Sequence, residues 1–143
     1  MENKILENKI ISRLNVEIKD SLYGKSYEVF SECVEVILGS NVVKPDIFVV
    51  CRDKGNETSL QIPTLIFEVV SPSNANIDTI TKMKLYAKFG IKEYSLVYQE
   101  GTIQQYRLNE YGEYYLETFY RSEEMYRSIA IEYLQVDLMK VFK

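Results

Sequence analysis

The chain contains no histidine. That absence removes the side chain whose ordinary pKa lies nearest neutrality, so any catalysis has to run on carboxylates, lysines, tyrosines or a metal ion. It also removes the nitrogen ligand that would complete a zinc site. Cysteine is scarce: Cys33 and Cys51 each sit inside an apolar stretch without C-x-x-C spacing, which reads as reduced core thiols. No segment approaches the ~18 uninterrupted apolar residues of a membrane span. The N-terminal MENKILENKIISRLNVEIKD has neither an apolar h-region nor a small-residue cleavage site, so a cytoplasmic protein is expected. Three prolines and six glycines are too few for a disordered or collagenous chain.

Neither sign of charge dominates. A net charge of −4 and a pI near 5.0 argue against an obligate nucleic-acid coat protein but leave room for a local basic face. From residue 79 to 92 the chain carries Lys82, Lys84, Lys88 and Lys92 with no acid between them, whereas Glu110 to Glu132 is mostly acidic and rich in tyrosine. Such a run is either a cationic surface or simply a solvated face.

What is present is an ordinary globular composition: 46% apolar and 13% aromatic residues in 143. A chain of that length buries about 68–70% of its unfolded surface, enough for one core, and a single domain over residues 3–143 is expected. Leu6, Ile10, Leu14, Ile18 and Leu22, widened by Ile11, recur at helical spacing before Gly24. YEVFSECVEVIL (27–38) alternates like one strand, and DIFVVCR (46–52) is a β-branched run closed by the turn signal DKGNE. TLIFEVV (64–70) is apolar on both faces except at Glu68, the pattern of a strand buried from both sides.

After the loop residues SPSNANID, TITKMKLYAKFG has helical spacing with Gly90 as its stop. Residues 93–99, 102–108 and 114–120 read as strands joined by turns, 129–134 as a strand pairing with that meander, and DLMKVFK as a short closing helix. The order predicts an α/β (α+β mixed) fold: a mixed β-sheet flanked by helices. Strand 64–70 has to cross over through the helix before residues 93–99 can lie beside it.

Two acids stand out. Asp46 follows Pro45 at the mouth of its strand, where a strand cap and a metal ligand are both open readings. Glu68 lies between Phe67 and Val69, and a carboxylate there is costly to desolvate unless it is paired or bound to a cation. If the two strands are neighbours the acids converge, forming with water and a backbone carbonyl a hard-oxygen site of the kind Mg²⁺ prefers. Lys82, on the next helix, is the best placed of the cationic cluster to orient a water or stabilise charge on phosphorus. The competing reading makes Glu68 half of a buried ion pair, with Lys82 itself as a partner. Asp78 and Lys82 at i, i+4 also suit a helix-surface pair. Ser71 and Ser73 flank Pro72 as turn formers, since no histidine base is available to make them nucleophiles.

KPDIFVV, IFEVVSPSN, DTITKMKLYAKFGIKEYSLV and the closing DLMKVF together resemble the Uma-two-type endonuclease family, a branch of the PD-(D/E)XK, restriction-endonuclease-like superfamily. The resemblance spans most of residues 3 to 142 and is densest from 44 to 98. It implies Asp46 and Glu68 as metal-binding acids, Val69 as the carbonyl ligand, and Mg²⁺ or Mn²⁺ as the ion. The superfamily's usual lysine position, two residues after the glutamate, is Val70 here. The family instead implies a lysine from the following helix, matched by Lys82, and a polar residue from the first helix, where Glu7 falls. Three departures stand out: the segment that usually precedes the first helix is short, Ser95 replaces a common tryptophan, and Tyr98 replaces a common aspartate.

Three functional classes follow. The first is a metal-dependent endonuclease that hydrolyses DNA phosphodiester bonds with a metal-activated water. The second is a catalytically weak or inactive nucleic-acid-binding module that keeps the nuclease fold. The third is a structural dimer built on the tyrosine-rich strands. A homodimer is expected in any case, from the aromatic surface of residues 102–120 and from the family resemblance.

Overall fold

The computed structural model describes residues 4–31, 34–52, 62–70 and 75–143, with only the backbone of 75–78. Helix α1, Lys4–Leu22, buries Ile10, Ile11, Leu14, Ile18 and Leu22, the stripe expected from the sequence. Gly24 follows it with φ at 77°, a left-handed conformation that glycine adopts without a Cβ penalty. Six strands then form one sheet: β1 (Tyr27–Ser31), β4 (Ile47–Cys51), β5 (Leu65–Val69), β6 (Glu93–Tyr98), β7 (Thr102–Leu108) and β8 (Tyr114–Arg121), paired in the order β1-β4-β5-β6-β7-β8. Every pairing is antiparallel except β5 with β6, which helix α2, Ala75–Lys88, connects as a crossover.

The helices divide the core in two. On one face α1 packs its isoleucines and leucines against Ile47, Val49, Leu65, Phe67 and Val97, joined by Tyr126, Leu134 and Val141 from the C-terminal part of the chain. On the other, Tyr86 of α2 and Ile91 pack with Phe48, Val50, Ile66, Tyr94 and Leu96. Each of these large side chains contributes about 1.5–3 kcal/mol on full burial before the entropy cost of ordering is counted. Strand β5 is covered on both faces, which is why it reads as continuously apolar apart from Glu68. Among the described residues no helix is long and apolar enough to cross a membrane. Cys51 carries a free thiol, while Cys33 lies outside the described residues.

Two expected strands take other forms. Residues 27–38 do not make a single strand. β1 pairs with β4 only as far as Ser31 opposite Ile47, and the next positions of its partner are Asp46 and Pro45, the latter with no N–H to continue a ladder. Val36–Leu38 instead forms β2 and folds back on β3, Asn41–Val43, as a separate hairpin. The turn needs Gly39, whose φ is 64° and whose missing Cβ would lie 3.0 Å from the Phe89 ring.

Residues 129–134 form no strand either. The Ile129 and Ala130 amides donate to a side-chain carboxylate, that of Glu93, and are therefore lost to any ladder. The pairing here is between β9, Met125–Arg127, and β10, Gln135–Asp137. The short closing helix forms as expected, as α3, Met139–Phe142, and packs beside α1.

Candidate metal centre

The centre begins with the register of β4 on β5. Ile47 pairs with Phe67, so one further antiparallel step sets Asp46 opposite Glu68. Strand alternation turns both toward the α2 face, the side that holds Phe48 and Ile66, while Phe67 and Val69 point to α1. Asp46 is half-buried, and its Oδ2 accepts the Val69 N–H at 2.8 Å. Beyond the last pair of the ladder, this carboxylate takes the place of a main-chain acceptor. The strand-cap reading of Asp46 is thus realised.

Glu68 is 6% exposed. Lys82 Nζ lies 2.9 Å from its Oε2, the Tyr94 hydroxyl donates to Oε2 at 3.4 Å, and the Tyr86 hydroxyl donates to Oε1 at 3.4 Å. Lys82 and Tyr86 stand four residues apart on α2 and so share a face. Tyr94 lies two residues before Leu96, the residue in register with Glu68 on the parallel strand β6. The desolvation cost of a carboxylate in this strand is offset by one ammonium and two phenols drawn from two different elements.

The cationic run divides accordingly. Lys82 turns inward, whereas Lys84, Lys88 and Lys92 are exposed. The Asp78 side chain, Ser71 and Ser73 lie outside the described residues.

Glu7 is placed differently. It stands in the first turn of α1, the helix that covers the opposite face of the sheet. Its Oε2 is buried without a hydrogen bond, and Lys4 Nζ approaches only to 3.8 Å from a side chain that is 72% exposed. That pair is loose and solvent-screened. No described contact joins Glu7 to Asp46 or Glu68, and no group of three or more acids, cysteines or histidines gathers among the described residues. The structure therefore brings Asp46, Glu68, Lys82 and the Val69 main chain together and leaves Glu7 apart from them.

A second buried carboxylate went unnoticed in the sequence. Glu93, fully buried on β6, accepts Ser128 Oγ, Ile129 N–H and Ala130 N–H on Oε1, and Gln105 Nε2 and the Tyr126 hydroxyl on Oε2. Ser95 Oγ bonds the Tyr126 hydroxyl in turn at 2.6 Å, which makes it part of the same buried polar network. Burial, and next the Glu93 charge, push the Tyr126 phenol well above its ordinary value, which keeps it a donor. Tyr98, at the end of β6, is half-buried and donates to Gln104 Oε1 at 3.3 Å.

A six-stranded mixed sheet flanked by helices, with β5 and β6 joined through a crossover helix, is a nuclease-like fold. The crystal structure described as "a putative nuclease belonging to DUF820 from Anabaena variabilis ATCC 29413" shares it, with a TM-score of 0.72 over 96% of this chain and 80% of that one, at 14% identity. The Uma2 family model, "Putative restriction endonuclease", matches residues 3–138, and this chain belongs to that family. No curated protein matches it.

Proposed function

We propose that the protein is a divalent-cation-dependent endonuclease that hydrolyses phosphodiester bonds in DNA. The observation that carries this reading is the meeting of Asp46, Glu68 and Lys82 at one end of β4 and β5. The donor set fits a hard cation in kind, since two carboxylates and the Val69 carbonyl are all oxygen, and such a cation would have to compete with the Lys82 ammonium for Glu68 Oε2. Asp46, Glu68 and the Val69 carbonyl would hold Mg²⁺ or Mn²⁺, while Glu7, on the helix against the opposite face, is left out of the proposed ligand set. The ion would supply Lewis-acid polarisation of a phosphoryl oxygen and a water of lowered pKa.

The chain's own residues do the rest. Val69 N–H orients Asp46, and the burial of Glu68 excludes bulk water from one side. Lys82 brings positive charge to the place where negative charge grows on the phosphate in the transition state. DNA as substrate is supported by the restriction-endonuclease description of the family.

The test is nicking of a supercoiled plasmid with millimolar Mg²⁺ or Mn²⁺, with EDTA and Asp46→Ala as controls. Cleavage is expected with metal and lost in both controls. Salt-dependent DNA binding without cleavage in any of them would replace the enzyme with a binding module that keeps the nuclease fold.

The proposed assembly is a homodimer. Strand β8 is the last in the sheet and leaves Tyr115, Leu116 and Phe119 exposed at 44%, 49% and 45%. An open edge with apolar side chains is the kind of surface a second copy covers. Light scattering at tens of micromolar should return twice the chain mass, and a monomer mass would reject the assembly.

A further inference from the structure

We propose that Tyr86 and Tyr94 are positioning residues for the centre: their hydroxyls, one on each carboxylate oxygen, hold Glu68 in the orientation from which it would bind a cation. This rests on the reading of Glu68 as a ligand. A glutamate has three side-chain torsions, and a ligand has to be fixed within about 0.5 Å to be effective. Lys82 cannot be its only anchor, because a cation entering the site competes with the ammonium for the same oxygen, Oε2. The phenols carry no charge and stay compatible with a bound ion.

Their own placement is rigid. Both tyrosines are fully buried, one on α2 and one on β6, and their rings meet edge to face at 5.2 Å and 70°. Both hydroxyl contacts, at 3.4 Å, are longer than the usual range of about 2.5–3.0 Å, so each is weak alone and the positioning rests on the two acting together from opposite oxygens. Outer partners of this kind orient the groups that ligate metals.

The experiment uses Tyr86→Phe, Tyr94→Phe and the double variant, which keep both rings and remove only the hydroxyls. Calorimetric Mn²⁺ titration should show affinity falling about ten- to a hundredfold in the double variant. Tyr106→Phe, which loses a bond to Gln104 Oε1 at 2.9 Å on the same sheet face, should titrate like wild type. In metal-free protein, ¹³C relaxation of the Glu68 methylene groups should change from rigid in wild type to mobile in the double variant. If that variant does not fold, the single variants carry the comparison, each expected to lose several-fold in affinity.

Wild-type Mn²⁺ affinity in the double variant, or an equally rigid Glu68, would overturn the positioning role. Silence of the wild type toward Mn²⁺ would overturn the metal reading instead, and the relaxation measurement would still decide whether the phenols hold Glu68.

Discussion

Under saturating Mn²⁺, Lys82→Ala should nick plasmid about 10²- to 10³-fold more slowly than wild type while binding Mn²⁺ as tightly or more tightly. The two effects diverge because Lys82 Nζ, 2.9 Å from Glu68 Oε2, opposes a cation in the ground state and favours a phosphate whose charge is growing. Glu68→Gln should behave differently. It removes a ligand charge, so metal affinity and cleavage fall together. Lys84→Ala is the charge-matched control, since Lys84 is exposed on the same helix and should leave both quantities unchanged.

Lys82→Ala should also cost about 1.5–3 kcal/mol of stability, because Glu68 is 6% exposed and loses a charged hydrogen-bond partner. Melting curves therefore have to accompany the rates. Equal nicking by wild type, Lys82→Ala and Lys84→Ala would reduce Lys82 to the structural half of an ion pair.

The largest expected loss of stability is at Glu93, on the other face of the same strand that carries Tyr94. Glu93→Ala should destabilise the fold by about 4 kcal/mol or more, and Glu93→Gln by about 2–4 kcal/mol, measured by urea denaturation. The alanine leaves five donors without their acceptor: Ser128 Oγ, the Ile129 and Ala130 amides, Gln105 Nε2 and the Tyr126 hydroxyl. The amide variant keeps one acceptor oxygen, but its NH₂ group has to face donors on whichever side it lies. Tyr126 can turn its hydroxyl toward Ser95, whereas Gln105 Nε2, which also donates to the Arg127 carbonyl, has no such alternative. A loss below about 1 kcal/mol for the alanine variant would show that the 126–130 segment is held by its apolar contacts alone.

Much of the fold is legible in the residues because it follows from local periodicity. The spacing of Leu6, Ile10, Leu14, Ile18 and Leu22 specifies both α1 and the face it buries, and a helix packs most of such a stripe whatever lies opposite. The lone acid of TLIFEVV marks Glu68 as a residue in need of a partner, since desolvating a carboxylate is costly in any fold. Pro45 before Asp46 marks the mouth of a strand for an equally local reason, the missing N–H.

Tertiary structure decided the partners. Alternation over 27–38 fits one strand as well as two, and only the end of the β4 ladder at Ile47 separates β1 from β2. Residues 129–134 have strand-like composition, yet their first amides are taken by a glutamate 36 and 37 residues earlier in the chain. Helical spacing alone does not single out one lysine of the run 82, 84, 88, 92 as the one that turns inward. That depends on where α2 lies over β5, a relation set by the crossover to β6. Glu7 sits on a helix packed against the far face of the sheet from Glu68, and no periodicity within α1 records which face that is. Periodicity encodes which side chains share a surface, because it arises from the geometry of one element. Which surfaces meet depends on strand register and crossover between residues distant in the chain, and that is where the donors to Glu68 and Glu93 are chosen.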